Sequence, residues 1–350
     1  MVETTSRPIR LGARTSPLAR VQVDVVAALL ADRGIESTFV GVTTAGDVDQ
    51  RQLTEIGGTG VFAGAVRDAL RHGEIDVAVH SLKDLPTAPE DDLEVIAIPA
   101  REDPRDVLVG RRLDDLVGPV TIGTGAPRRA IQLLDWADRE RAAGRRLELR
   151  IVPIRGNVDT RIELVRGGSV DAVVLAAAGL RRLGYLDHGA TDLEGRKADT
   201  VVRNLQAQIL DHQVMLPAPG QGALALEIHS SLAEAIREQI ASLDDPVARA
   251  ESQAERGFLG TLEAGCTSPV GARSIVKSVR GTSLDLTLAA VIGRTLLSNL
   301  SEPTKTGLVV GPSGVLRWEA HGSTDDPAHF GASQAIQVLS ELRDPQGPRR

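Results

Sequence analysis

The stretch Arg71-His72-Gly73-Glu74-Ile75-Asp76-Val77-Ala78-Val79 has an echo later in the chain, Arg166-Gly167-Gly168-Ser169-Val170-Asp171-Ala172-Val173-Val174. Each copy reads as a helix end, a glycine stop, an acidic residue and a buried strand. A second echo pairs Ile9-Arg10-Leu11-Gly12 with Val120-Thr121-Ile122-Gly123, both strands running into a loop and then a helix. Repetition of this kind predicts two similar α/β domains in succession. Working outward, short apolar runs bounded by Gly or Pro alternate with longer helical patterns, as in residues 8–12, 18–33 and 37–43. That rhythm predicts β-α-β units and a largely parallel sheet.

The chain has 350 residues, room for two or three domains at about 100 to 200 residues each. Hydrophobic residues make up 42% and charged residues 25%, near the globular average, which disfavours disordered, collagen-like and membrane classes. No apolar run reaches the roughly 18 to 20 residues that span a bilayer, and the first ten residues lack an apolar signal core. A cytoplasmic protein with no membrane partner is expected. Cys266 is the single cysteine, so an intramolecular disulfide is ruled out. A formal net charge of −7 and 2% aromatic residues argue against nucleic acid, which asks for a basic face and stacking platforms. Only Lys83, Lys197, Lys277 and Lys305 are lysine among 40 basic residues, so an arginine carries weight only in a loop at a strand end.

Beyond the two repeats, Leu216-Pro217-Ala218-Pro219-Gly220-Gln221-Gly222 cannot be regular structure. A strand over 223–228 and a helix over 232–243 follow. The pattern then changes to a helix over 247–262, strands near 274–279, 284–292 and 307–310, and a helix near 332–342. This predicts a smaller α+β domain.

In an open α/β sheet, ligands bind outside the carboxyl ends of the strands. Four loops in that position carry Arg or Lys: Gly12-Ala13-Arg14-Thr15-Ser16-Pro17, His80-Ser81-Leu82-Lys83-Asp84-Leu85-Pro86, Gly123-Thr124-Gly125-Ala126-Pro127-Arg128-Arg129, and Ile154-Arg155-Gly156-Asn157-Val158-Asp159-Thr160-Arg161. Most open a helix, where free backbone N–H groups and the positive dipole end favour an anion, and arginine adds bidentate recognition of carboxylate. A small polyanionic ligand in a two-domain cleft is one reading; arginines that merely solvate helix starts are the other.

Asp84 beside Lys83 is either a solvated pair or a carboxylate set among cations to stabilise a developing positive charge or exchange a proton. His80 is either a base or a satisfied histidine of the core. Cys266, in Leu262-Glu263-Ala264-Gly265-Cys266-Thr267-Ser268-Pro269-Val270-Gly271, is either a small buried hydrophobe or an exposed loop thiol that serves as nucleophile or attachment point. Metal-ligand spacings, GxxxxGK[ST] and GxGxxG are lacking, which leaves zinc, nucleotide and dinucleotide readings without support.

Taken in order, seven segments resemble the porphobilinogen deaminase (hydroxymethylbilane synthase) family: Arg14-Thr15-Ser16-Pro17-Leu18-Ala19, residues 80–86, 122–129 and 155–161, Ala178-Gly179-Leu180-Arg181-Arg182-Leu183-Gly184, residues 217–223, and Glu255-Arg256 through Gly265-Cys266 to Gly271. The resemblance implies an α/β fold of two periplasmic-binding-protein-like lobes plus a smaller α+β C-terminal domain. The division is 1–102 plus 223–245 for the first lobe, 106–200 for the second, 201–222 as a return segment, 247–342 for the third domain and 343–350 as a tail. It implies an enzyme that condenses four porphobilinogen molecules head to tail into hydroxymethylbilane with release of ammonia. A dipyrromethane cofactor, held by thioether to the loop cysteine, primes the addition, and Cys266 matches that position. Asp84 matches the family aspartate that hydrogen-bonds pyrrole nitrogens and stabilises charge as ammonia leaves and an azafulvene-like electrophile forms. The family's carboxylate-binding residues fall on Ser16, Lys83, Arg128 and Arg129 for the cofactor, and on Arg14, Arg155, Arg161 and Arg182 for the substrate. A monomer is expected.

Some positions depart from the family pattern. T-R-G-D reads Thr44-Ala45-Gly46-Asp47, and G-G-K-G-x-F-x-K-E reads Gly57-Gly58-Thr59-Gly60-Val61-Phe62-Ala63-Gly64-Ala65, without either Lys or the Glu. The G-T-S-S-x-R-R loop has become Gly123-Thr124-Gly125-Ala126-Pro127-Arg128-Arg129, and Asp159 replaces the second Gly of R-G-N-x-G-T-R. Weaker anion binding is expected unless other arginines, Arg51 or Arg67, reach the same carboxylates. A divergent paralogue with weakened or altered activity, and a non-catalytic small-anion-binding protein, stand as alternatives.

Overall fold

The computed structural model describes residues 7–43, 61–186, 205–262, 268–293, 296, 309–310 and 314–343. It divides into two compact units, Met1–Glu102 with Gly222–Ala250, and Asp103–Gln221 with Glu251–Arg350. The first unit begins with β1 (Ile9–Arg14), α1 (Pro17–Ala31), β2 (Ser37–Val42), α2 (Val61–Arg71), β3 (Val77–Ser81), a one-turn 3-10 helix (Leu82–Asp84) and β4 (Leu93–Ala97). The second unit supplies β5 (Asp106–Gly110), β6 (Gly118–Gly123), α3 (Pro127–Ala142), β7 (Leu147–Val152), α4 (Val158–Arg166), β8 (Ala172–Ala176), α5 (Ala177–Arg182) and β9 (Gln206–Ile209). The chain returns to the first unit for β10 (Leu224–His229) and α6 (Glu234–Ala241). After α7 (Pro246–Thr261) come β11 (Val270–Arg280), β12 (Ser283–Ile292), β13 (Val309–Val310), β14 (Leu316–Thr324) and α8 (Pro327–Arg343).

The sheet of the first unit has the order β2-β1-β3-β10-β4. Strand β1 is parallel to β2 and β3, while β10 runs antiparallel to β3 and β4. In the second unit β7-β6-β8-β5-β9 repeats the plan, with β6 parallel to β7 and β8 and β5 antiparallel to β8 and β9. The sequence echoes fall on matching elements: the end of α2 with β3 against the end of α4 with β8, and β1 against β6. In each sheet four of the five strands run one way, as expected of a largely parallel sheet, and one reversed strand, β10 or β5, makes two of the four neighbouring pairs antiparallel. An apolar run such as Val107-Leu108-Val109 is buried whichever way it points, so its pattern carries no direction.

Local chemistry explains the elements that carry the loops. Ser16 caps α1, its Oγ accepting from the Ala19 N–H at 3.3 Å, and Pro17 fills a first-turn position whose N–H needs no partner. Val23, Val26 and Leu30 share one face of α1 and pack on Ile9, Leu11 and Val77 of the sheet. Gly12 in β1 is demanded by packing, because a Cβ there would stand 2.3 Å from Ile75 Cδ1. Leu108, Ile122, Leu133, Trp136 and Val174 build the matching core in the second unit.

The C-terminal sheet, β11-β12-β14-β13, is antiparallel, and Phe258, Leu259, Phe330 and Val338 of α7 and α8 bury its inner face. Gly257 and Gly331 let the two helices touch. A Cβ at Gly257 would lie 2.2 Å from Ala328 O, and one at Gly331 only 1.9 Å from Ala254 O. Strand β14 escapes the sequence reading because Arg317, Glu319, His321 and Ser323 alternate with Ala320 and Gly322, so the apolar signal fades after Trp318.

Candidate active site

In the first unit β1 and β3 are neighbours, so the loops that leave their carboxyl ends lie side by side. Arg14 ends β1 half-buried, and Ser16 follows as the helix cap. After β3, Ser81 Oγ accepts from Gln22 Nε2 at 2.7 Å and the Leu82 N–H donates to Ala223 O at 3.1 Å. Leu82 and Leu85, 1% and 2% exposed, pin the 3-10 turn. Lys83 is thereby half-buried and Asp84 exposed. Among the described residues Asp84 makes no hydrogen bond or ion pair. A bare carboxylate on an anchored turn is available to N–H donors or a developing positive charge.

His80 belongs to the core. Its Nε2 lies 3.2 Å from Glu227 Oε2, and Glu227 also accepts from Nε and Nη2 of Arg67 at 3.0 and 2.8 Å. Burial by itself would raise the Glu227 carboxyl, but the approach of His80 and the hydrogen bonds from Arg67 outweigh it and hold the pKa below its ordinary value. Arg67, which also pairs with Glu90 at 2.8 Å, is committed to this network. The expectation that it reaches ligand carboxylates is overturned. Arg51 lies outside the described residues.

The second unit gathers the remaining arginines. Strands β7, β6 and β8 run in one direction, and each leads into a helix start. Arg128 and Arg129 open α3 after β6, Arg155 and Arg161 flank the start of α4 after β7, and Arg182 closes α5 after β8. Arg128 and Arg129 do not point into open solvent: at 4% and 5% exposure they flank Asp106, itself 0% exposed at the head of β5. Arg128 Nη1 stands 2.8 Å from Asp106 Oδ2 and also donates to Leu216 O. Arg129 donates to Asp106 Oδ1 from Nη2 at 2.7 Å and from Nε at 3.2 Å, and from Nη1 to Val174 O at 2.8 Å. Gln221 Nε2 adds a bond to Asp106 Oδ1 at 2.9 Å. Burial would raise the Asp106 carboxyl, yet the charges of Arg128 and Arg129 drive it far below the usual carboxylate range. Two guanidiniums share one carboxylate, which leaves one positive charge in excess.

Arg155 is exposed, Arg161 half-buried, and neither has an acidic partner among the described residues. Arg161 Nε donates to Gly156 O at 2.9 Å. Burial, then the neighbouring charges of Arg129 and Arg155, pull the Arg161 pKa down. A bound anion relieves crowding of this kind. The donor set fits a dipyrromethane and its substrate, whose acetate and propionate groups ask for several cations at once. Cys266, Ala45 and Thr59 lie outside the described residues.

Two further departures can be placed. Ala126, the N-cap of α3, makes no side-chain cap bond, and the loop is closed instead by Thr124 Oγ1 accepting from the Ala126 N–H at 3.2 Å. Gly125 leaves no room for a serine, because a Cβ there would sit 2.7 Å from Ile154 O. Asp106 and Gln221 are the residues that the sequence reading missed. The available signal was a single carboxylate opening Val107-Leu108-Val109, where burial demands a cationic partner. Among the described residues no cluster of His, Cys, Asp and Glu could hold a metal ion.

Comparison with known proteins follows the same outline. The family described as porphobilinogen deaminase, dipyromethane cofactor binding domain, matches residues 9–237, and the porphobilinogen deaminase C-terminal domain matches residues 250–312. Porphobilinogen deaminase 1 of Streptomyces coelicolor is 48% identical over 309 residues, 87% of this chain and 90% of that one. The porphobilinogen deaminase of Cutibacterium acnes is 44% identical over 318 residues, 84% of this chain and 86% of that one. That of Acidothermus cellulolyticus is 39% identical over 362 residues, 98% and 95% of the two chains. Among solved structures, a periplasmic substrate-binding protein of an ABC transporter from Coxiella burnetii aligns over 71% of this chain and 96% of that one, with a TM-score of 0.38 and 13% identity. The enzyme matches favour the deaminase reading over a paralogue or a binding protein. Because they take in the cation-bearing loops of the α/β sheets and extend into the C-terminal sheet, the chain belongs to the porphobilinogen deaminase family.

Proposed function

We propose that the protein is a porphobilinogen deaminase that condenses four porphobilinogen molecules and one water into hydroxymethylbilane and releases four molecules of ammonia, in tetrapyrrole biosynthesis. The observation that carries this reading is the crowding of Arg129, Arg155 and Arg161 at the carboxyl ends of β6 and β7, where no carboxylate among the described residues pairs with Arg155 or Arg161. In this reading Arg14, Arg155, Arg161 and Arg182 bind the acetate and propionate of the substrate. Ser16, Lys83, Arg128 and Arg129 hold the cofactor carboxylates, the two arginines using N–H groups that Asp106 does not take. Asp84 accepts from pyrrole N–H and stabilises positive charge as the C–N bond to ammonia breaks. A dipyrromethane attached through the Cys266 sulfur supplies, when bound, the pyrrole carbon to which the first substrate is joined.

We read three domains, 1–102 with 223–245, 106–200 and 247–342, linked by 201–222; three sheets with separate cores support that division. A cytoplasmic monomer without nucleic-acid or membrane partners completes the reading. The net charge of −7 supports the first exclusion, and no helix among the described residues is long and apolar enough to cross a membrane.

Intact mass and steady-state formation of hydroxymethylbilane test the reading together. Wild-type protein should carry the mass of a covalent dipyrrole, and Cys266→Ser should lose that mass and the turnover at once. An unmodified Cys266 in active enzyme overturns the attachment; no product from porphobilinogen overturns the activity.

A further inference from the structure

Asp159 stands where the family pattern has glycine, in the first turn of α4, between Arg155 and Arg161. A carboxylate there is well placed for the helix dipole. It is badly placed for a site that must present cations to an anionic ligand, since it threatens to neutralise them. Yet among the described residues Asp159 makes no ion pair with any arginine. Its Oδ1 accepts instead from the Tyr185 hydroxyl.

Tyr185 reaches it by a specific turn. Helix α5 ends at Arg182, and Gly184 takes a φ of +75°, which reverses the chain so that the Tyr185 N–H donates to Leu180 O at 2.8 Å. The ring is then 1% exposed, its hydroxyl against the first turn of α4. Burial, and then the Asp159 hydrogen bond and charge, keep the phenol protonated well above its ordinary range, so it stays a donor. The same first turn is fixed from its other side by Asn157, whose Oδ1 accepts from the Thr160 N–H and hydroxyl, both at 2.8 Å. Residues i and i+2 of a helix do not face each other. Holding Asp159 on Tyr185 therefore leaves Arg161 on a different side, donating through Nε to Gly156 O.

We propose that Tyr185 and Asp159 form a positioning tether, which locks the first turn of α4 to the segment after α5 and keeps the Asp159 carboxylate turned away from Arg155 and Arg161, so that neither arginine is taken up by an internal ion pair and both stay oriented for the carboxylates of the substrate. The proposal rests on the function proposed above. Neither residue touches the reacting atoms. Removing the tether weakens binding of the substrate and the transition state alike, which raises KM and spares kcat.

The experiment compares Tyr185→Phe, Asp159→Ala, the double variant and Asp159→Asn in the cofactor-bearing enzyme. Porphobilinogen kinetics are read beside amide hydrogen exchange over residues 155–161. A lost hydrogen bond to a charged group corresponds to about tenfold in KM. Tyr185→Phe and Asp159→Ala should each raise KM by about that factor at unchanged kcat, and the double variant should be no worse than either. Asp159→Asn, which keeps an acceptor and drops the charge, should hold KM at or below the wild-type value. Exchange over 155–161 should quicken in Tyr185→Phe and stay slow in Asp159→Asn. Additive losses, a fall in kcat at constant KM, or unchanged exchange in Tyr185→Phe would each overturn the tether. If wild-type protein fails to convert porphobilinogen, the function proposal falls, and the exchange data alone decide the tether.

Discussion

The two five-stranded sheets share one strand order, and each admits a fourth strand that carries a buried carboxylate. In the first unit it is Glu227 on β10, opposite Ala78 near the start of β3; in the second it is Asp106 on β5, opposite Ala176 at the end of β8. The position along the strand separates their roles. Glu227 lies away from the cation-bearing loops and clamps α2 through Arg67. Asp106 sits where those loops begin, so the arginines it orients are the ones at the edge of the cation cluster. In matching sheets, then, the depth of a buried charge decides whether it holds a helix of the fold or the arginines of the strand-end loops.

The largest expected effect belongs to the exposed carboxylate. Asp84→Asn keeps shape and removes charge, and should lower turnover by roughly two to three powers of ten while the covalent dipyrrole mass stays. Near-normal turnover would show that another group stabilises the departing charge. Next come the buried pairs. Asp106→Ala leaves two buried guanidiniums without their carboxylate and should cost about 3–5 kcal/mol in denaturant unfolding. The milder Asp106→Asn and Glu227→Gln sharpen the contrast: the first should lower the fraction of enzyme that carries the covalent dipyrrole mass, the second should lower stability and leave that fraction alone. Equal losses of the dipyrrole in both would break the comparison.

Acid unfolding probes both units at once. The folded pKa values of Asp106 and Glu227 are depressed, so the stability they contribute is present above the unfolded values, about 4, and is lost as pH falls through the folded ones. Loss of stability should begin below about pH 4, and Asp106→Asn or Glu227→Gln should flatten that limb in equilibrium unfolding curves. The smallest effect is expected at the start of α3. Ala126→Ser restores a capping hydroxyl and should add about 1 kcal/mol. Combined with Ala45→Arg it should also raise catalytic efficiency; no gain in the double variant would show that the remaining arginines already suffice.

What was legible in the sequence depended on locality. The paired echoes ending at Val79 and Val174 exposed the duplicated plan, because a helix end, a glycine and a buried strand are written within nine residues. The loop arginines were visible for the same reason. Their electrostatic state was not: that Arg128 and Arg129 are held by Asp106, or that Arg67 is spent on Glu227, depends on strands that meet only after the chain has folded. Nor could the direction of β10 be read from Leu224-Ala225-Leu226, which is buried on both faces.

The path of β10 also bears on how the protein is made. Among the described residues strand β4 pairs with β10 alone, which leaves the ribosome only after β5 to β9 have been synthesised. At cellular elongation rates the delay is on the order of ten seconds. During it the nascent first sheet presents β3 with an open apolar edge, the kind of surface that invites pairing with another chain. The second sheet, whose five strands are contiguous between Asp106 and Ile209, meets no such wait. The earlier-translated sheet is therefore the later one to close, and until residue 224 emerges the apolar edge of β3 stays uncovered by its own neighbour.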